Sequence, residues 1–222
     1  MNILPWDLSV IPQRFFLFTE AAGYTLQITF FGILFGLVIG LVAALGRLSK
    51  HNWISAICRA YIFLIRGTPL LVQLFIVYYG LTSVVTIAPI PSAIIALGVH
   101  NGAYIAEIFR GSIQSIDIGQ MEAARSIGMP MGKAMQRIIL PQAFKRAVPP
   151  LGNQLIIALK DSSLASTIAV PELMLKGRQM GSSSFMYMEM FIIVGIWYLI
   201  MTSLLSFVMH RIEQRLKVSD RE

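Results

Sequence analysis

Apolar residues fall in long blocks along the chain, separated by shorter polar joints, and this pattern predicts helices that cross a bilayer. The first block, about 21–45, is long enough to span a hydrocarbon core of roughly 30 Å at about 1.5 Å per residue. Gly32, Gly36 and Gly40 recur every fourth residue within it, which places them on one face and lets a neighbouring backbone approach closely. A second block, about 54–81, is interrupted by Arg66-Gly67-Thr68-Pro69, where the missing proline N–H predicts a kink or break. Its first part, Trp53 to Ile65, can stand as a separate tilted helix. A third block covers about 88–109, after a turn with Pro89 and Pro91. The longest polar stretch, 110–147, follows. A fourth block, 148–170, opens at Val148-Pro149-Pro150 and is interrupted by Lys160-Asp161-Ser162-Ser163. The fifth, 190–209, precedes a short charged tail. There is no internal repeat and no second domain. The expectation is one all-α polytopic membrane domain over 1–222 with five transmembrane helices.

Composition agrees with a bilayer. Of 222 residues, 56% are hydrophobic and 13% charged, against about 25% charged in soluble domains. A net charge of +7 would suggest nucleic acid in a soluble protein. Here the basic residues sit between apolar blocks, so they read as topology signals, and no nucleic-acid partner is expected. Thirteen Lys and Arg residues lie in the first loop, the long polar loop and the tail, against three in the segments on the other side. The heavy side is therefore cytoplasmic, the N-terminus outside and the C-terminus inside. The N-terminus has no basic region before a short apolar core and is not expected to be a cleaved signal. Cys58 is the only cysteine, which excludes an intramolecular disulfide and leaves no cysteine cluster for a metal.

The long polar loop carries the most specific signal. It reads Glu122-Ala123-Ala124, three residues, Gly128, nine residues, then Ile138-Ile139-Leu140-Pro141. Physically this is two short helices and a turn. Gln120 to Ile127 is helical, Gly128 supplies a left-handed stop, Pro130 suits the next first turn, and Pro141 marks a bend or stop after Lys133 to Leu140. A nearby Gly128-Met129-Pro130-Met131-Gly132-Lys133-Ala134 is one residue short of a phosphate-binding loop and has Ala134 where a hydroxyl should hold magnesium.

The loop resembles the EAA loop of ABC importer membrane subunits at every position of its pattern. Arg66-Gly67-Thr68-Pro69-Leu70, Gly102-Ala103-Tyr104-Ile105-Ala106-Glu107 and Lys160-Asp161-Ser162-Ser163-Leu164 are similar to the polar amino-acid branch, the histidine and glutamine permease type. The resemblance runs from about Gly23 to the fifth span. It implies the type I importer permease architecture in a bacterial cell (inner) membrane and import of a polar amino acid or a relative such as cystine. Cytoplasmic ABC ATPase subunits would bind the ATP and magnesium, so this chain would hold no cofactor and no catalytic site. A second permease subunit, identical or similar, and an extracytoplasmic solute-binding protein complete the implied assembly. By position, Glu122, Ala123, Ala124, Gly128, Ile138, Leu140 and Pro141 carry over to ATPase coupling.

Ionisable groups at membrane depth are costly and usually face a cavity or a partner. Lys160 lies ten residues beyond Pro150, roughly 15 Å along a helix, near the midplane. Asp161 is the candidate for a substrate ammonium or cationic side chain; an ion pair with Lys160 or Arg66 is the alternative. A break at this point would expose backbone groups toward a pathway. Ser163 (or Ser162) can face a carboxylate or bond back to its own helix. His100, Asn101, Gln73 and Leu70 complete the candidate pathway, with Gln73 read as either an interhelical hydrogen bond or a pore contact. Glu107 and Arg110 read as a local ion pair. No second histidine or cysteine stands at ligand spacing, so no metal site is expected. A self-sufficient secondary transporter would show inverted repeats, and an intramembrane enzyme a nucleophile with its base; the sequence presents neither pattern.

Overall fold

The computed structural model describes residues 6–218, which form helices and turns with no strand among them. A short helix, α1 (Val10–Arg14), and a 3-10 turn, Phe15–Phe18, lead into α2 (Thr19–Arg47). Then follow α3 (Asn52–Arg66), α4 (Leu70–Phe75) with a π turn to Gly80, and α5 (Pro89–Gln114). The polar loop forms α6 (Ile118–Ser126) and α7 (Met131–Ala134), and a π turn Met135–Ile139 joins α7 to α8 (Leu140–Asp161). A 3-10 turn, Ser162–Ile168, then α9 (Leu173–Ser184) and α10 (Tyr187–Val218) complete the order.

The glycine face of α2 is the centre of the bundle. Cβ atoms placed at Gly32, Gly36 and Gly40 would press on Leu97, on Gly98, Asn101 and Gly102, and on Gly102 and Ile105. Numbers rise together on both helices, so α2 and α5 run parallel. The segment between them must therefore return across the bundle. On the other side Gly152 of α8 meets Met209 of α10, and Leu159 packs with Met190, Ile193 and Val194, so that pair is antiparallel. A Cβ at Gly40 would sit 2.6 Å from Ile105 Cγ2 and 2.9 Å from the Gly102 carbonyl oxygen, and backbone cannot give way. Gly40→Ala is expected to cost about 1–3 kcal/mol, read as a lower unfolding temperature in detergent. Gly23→Ala, where a Cβ meets nothing within 4 Å, is the control and should be neutral or slightly stabilising. Equal midpoints for the two variants would contradict the close-packed α2/α5 seam.

Several boundaries differ from expectation. The second block is not one continuous helix: α3 and the helix from Leu70 to Gly80 meet at 105°. Pro69 is extended (φ −65°, ψ 141°) and starts α4 afresh, as the residue before a proline resists helix. The fourth helix starts at Leu140, not near Val148, and runs through Pro149 and Pro150. Two hydrogen bonds are lost there, but buried Ala143, Ala147 and Gly152 pack on either side and carry the helix past the gap. Pro141 does not stop the chain either. It occupies the first turn of α8, where its missing N–H costs nothing, and the π turn before it absorbs the change of register. At Ser162 the helix tightens into the 3-10 turn rather than unwinding, and Ala169 in the left-handed region (φ 61°) ends it. Among the described residues, three helices are long and apolar enough to cross a membrane, within 10–47, 89–114 and 187–216, or four if the bent pair is one span. The 22-residue α8, which carries much of the fourth block, is not among them.

Beyond α8, Glu172 is fully buried and holds the start of α9. Its carboxylate accepts from Met174 N–H and Leu175 N–H, both at 2.8 Å, and from the Tyr198 hydroxyl at 3.2 Å. Burial pushes this carboxyl up to about 7 against the pull of those donors.

Candidate functional site

The polar loop is built as a rigid corner. Asp117 caps α6 by accepting from Gly119 N–H at 2.7 Å. At its other end Gly128 has φ 82°; its N–H reaches Arg125 O at 3.0 Å, and Met129 N–H reaches Ala124 O at 3.1 Å. These two bonds are the Schellman closure that a left-handed C′ glycine allows. Ala124 and Ala134 are buried, which brings α6 and α7 together. Beneath them Ile116, Ile139 and Ala143 form a small core that fastens the corner to the ends of α5 and α8. Arg146 adds a tie from its guanidinium to Ser115 O and to Ser115 Oγ, the latter at 3.2 Å.

What remains exposed is the tip: Glu122, Ala123, Gly128, and the apolar Ile118, Ile127 and Met131, the isoleucines more than 70% exposed. An apolar knob on a small-residue corner, held rigid from below, has the shape of something that enters a groove on another protein. Of the motif residues, Ile138 is half-buried against the loop core, while Leu140 and Pro141 are exposed at the start of α8.

The candidate pathway residues divide into two groups. Gln73 donates to Ile65 O at 2.8 Å, Thr68 O at 3.1 Å and Thr68 Oγ1 at 2.9 Å, and its own oxygen meets His100 Nδ1 at 3.1 Å. The two carbonyls belong to the open end of α3, so Gln73 and His100 pin the bend between α3 and α4. Asn101, fully buried, donates to Leu97 O at 2.7 Å and accepts from Gln154 Nε2 at 2.8 Å, which ties α5 to α8. These polar atoms are used inside the subunit, where Gln73, His100 and Asn101 tie helices to one another.

Asp161 and Leu70 do meet, on the wall of one crevice with Ser162, Ala165 and Leu97. The crevice is about 10 Å³, room for roughly one water. The Ser162 hydroxyl donates back to Leu159 O at 2.7 Å, while Ser163 stands half-buried beside it. Neither alternative pairing of Asp161 forms. Lys160 is exposed and acts on the Asp161 carboxylate through space without a salt bridge, and Arg66 lies 3.9 Å from Glu107 and over the Tyr104 ring at 5.2 Å. Among the described residues the Asp161 carboxylate takes no hydrogen bond or ion pair.

The local pair read from sequence, Glu107 with Arg110 at 2.7 Å, is one part of a larger cluster. Arg47 at the end of α2 also binds Glu107, and Arg66 approaches from α3. Sequence reasoning missed Arg47 and Gln154 as partners. Gln154 carried the same signal as Gln73, an amide in an apolar helix, whereas nothing local linked Arg47 to a residue in another span.

Comparison with known proteins places this geometry. The chain is 43% identical over 216 residues to the L-cystine transport system permease protein TcyB of Bacillus subtilis (strain 168), covering 96% of this chain and 92% of that one. It is 38% identical over 219 residues to the glutamine transport system permease protein GlnP of Escherichia coli (strain K12), covering 97% and 100%. A solved amino acid ABC transporter, crystallised with histidines, matches with TM-score 0.91 and 37% identity over 96% of this chain and 100% of that one. An inward-facing MetNI methionine ABC transporter shares the fold at TM-score 0.78 and 23% identity. The family described as the binding-protein-dependent transport system inner membrane component matches residues 10–218, and this chain belongs to it.

Proposed function

We propose that this chain is the permease subunit of an ATP-driven importer for a polar amino acid or a close relative such as cystine. The observation that carries the reading is the rigid corner at Gly128, with its exposed apolar tip, on a chain that lacks any phosphate-binding loop of its own. A separate cytoplasmic ATPase drives it through Glu122, Ala123, Ala124 and Gly128, supported from below by Ile138, Leu140 and Pro141. A second permease subunit completes the pathway, and an extracytoplasmic binding protein delivers the solute. The similarity to cystine and glutamine permeases supports the solute class. Asp161, with Ser163 and Leu70 beside it, receives the solute's ammonium group when the crevice opens. Gln73, His100 and Asn101 act on the pathway by fixing the helices around it.

The chain crosses the membrane five times in this reading, with α2, α5 and α10 running inward and the bent α3/α4 segment and α8 running outward. The parallel run of α2 and α5 supports that count, since the chain must cross back between them. With the basic loops inside, Ser126 is cytoplasmic and Ser183 is outside; both side chains are exposed. A cysteine at Ser183 should react with an impermeant thiol reagent on intact cells, and one at Ser126 only after permeabilisation. The opposite pattern would reverse the topology. The function itself is tested by co-expressing the chain with its ATPase and binding protein and measuring uptake of labelled amino acids in proteoliposomes. Uptake that needs no ATPase would sink the importer reading.

A further inference from the structure

Arg47, Arg59 and Arg66 line one open cleft of about 530 Å³ between the end of α2, α3 and α5, together with Glu107 and Tyr104. Its charge does not balance. The Glu107 carboxylate binds Arg47 on one oxygen and Arg110 on the other, and Arg66 reaches that second oxygen only at 3.9 Å. The Arg66 side chain is 45% exposed. Arg59 makes no ion pair or hydrogen bond among the described residues, although it faces the same space. One carboxylate, already shared, stands against four guanidinium groups. An oxyanion would satisfy the two that are left, and guanidinium forks suit a phosphate in particular.

The position of the cleft identifies the source of that phosphate. Glu107 lies seven residues before Gln114, the end of α5, or about 10 Å by helix rise. The cleft is therefore at the end of the bundle that carries the basic loops, near the level of lipid headgroups. Phe63 of α3 lines the cleft, and the same helix also exposes Trp53, Ile57 and Leu64, all four residues at least 60% exposed. These are surfaces for acyl chains, with the tryptophan at interface depth. A volume of this size exceeds the roughly 300 Å³ at which small-ligand pockets begin, and so admits a phosphodiester with its glycerol.

We propose that this cleft binds the headgroup phosphate of an anionic phospholipid of the cytoplasmic leaflet, held by Arg59 and Arg66. The proposal rests on the orientation given above, which the cysteine labelling tests independently. Basic pockets between spans on the cytoplasmic side commonly take such headgroups. The lipid would brace α3 just before the bend, and so bias the angle at which α4 meets the bundle.

The test uses the whole transporter, with its ATPase and second permease subunit, purified in neutral detergent and titrated with phosphatidylglycerol or phosphatidylcholine under native mass spectrometry. Phosphatidylglycerol should be retained in preference to phosphatidylcholine. Arg59→Gln should weaken that retention about fivefold, and Arg59→Gln with Arg66→Gln further. Arg59→Lys, which keeps the charge, should retain most of it. Equal retention of the two lipids by the unaltered complex overturns the proposal, and so does unchanged phosphatidylglycerol binding in the Arg59→Gln complex. Inorganic phosphate provides the remaining arm. If it binds at Arg59 in the lipid-free complex while phosphatidylglycerol does not, the cleft takes a free anion and the lipid assignment fails. Normal uptake with no lipid preference would refute this proposal and leave the importer reading intact.

Discussion

Gly128→Asp should leave the protein inserted and assembled with its second permease subunit but reduce uptake to background. Gly128 has φ 82°, and a Cβ there would meet nothing within 4 Å. The substitution is therefore not a packing lesion. Its backbone cost is about 1 kcal/mol, and aspartate is among the residues that tolerate the left-handed region best. The corner itself is fastened by the Ile116, Ile139 and Ala143 core and by the Asp117 cap, which the change does not touch. What changes is the tip. A carboxylate appears between Ile127 and Met131, two exposed apolar side chains that are the candidate contact with the ATPase. Desolvating an unpaired charge there costs several kcal/mol, enough to remove most docking. Gly128→Ala separates the two effects, since it bears the backbone cost alone and should keep most of the uptake. The measurements are uptake and substrate-stimulated ATP hydrolysis in proteoliposomes, with co-purification as the assembly control. Full uptake by Gly128→Asp would remove the corner from the coupling path.

That corner was readable in the sequence because its determinants are local. Helix formers and a left-handed glycine act within a few residues, and the structure realises both; Pro130 stands one residue ahead of α7, as its N-cap. The spans of α2, α5 and α10 were equally legible, because hydropathy over twenty or so residues is a summed property that single exceptions do not disturb. The α3/α4 break was visible in Gly67 and Pro69, but its 105° angle was not. The angle is held by Gln73 of α4 together with His100, which reaches it from α5.

Proline was the less reliable guide. Pro69 starts a helix, Pro141 sits unnoticed in a first turn, and Pro149 and Pro150 lie inside α8. The residue type is the same in each case; the outcome depends on whether packing on both sides can offset the missing bonds. Side-chain partnerships failed for the same reason. Glu107 and Arg110 were found because they are one turn apart, whereas Arg47 and Arg66 reach Glu107 from separate helices. The candidate pathway mixed two kinds of buried polar residue that sequence alone does not separate. Asn101 and Gln154 satisfy each other, and Asp161 satisfies no one within the described residues.

That isolation makes Asp161→Asn the most informative change in the bundle. Uptake should fall by about ten- to a hundredfold, with insertion, subunit assembly and basal ATP hydrolysis retained. Asp161 ends α8 beside Leu70 and Ala165, in a crevice with room for roughly one water. Arg66 stands over Tyr104 and toward Glu107, and exposed Lys160 acts on the carboxylate through space without a salt bridge, so among the described residues no ion pair balances it. A carboxylate at such depth is expensive to keep without a partner. Every amino acid brings an ammonium group, and a hydrogen bond between charged groups is worth about 1.5–3 kcal/mol, which is the basis of the expected fold-change. Asparagine keeps the size and the hydrogen-bonding capacity and removes only the charge. Were Asp161 instead paired with a cation of the second permease subunit, the variant would leave that cation buried and unpaired, at a cost of about 3–5 kcal/mol, and the complex would fall apart. Loss of uptake with an intact complex therefore assigns Asp161 to the solute. Loss of the complex assigns it to the subunit interface, and full uptake with unchanged solute preference removes it from both.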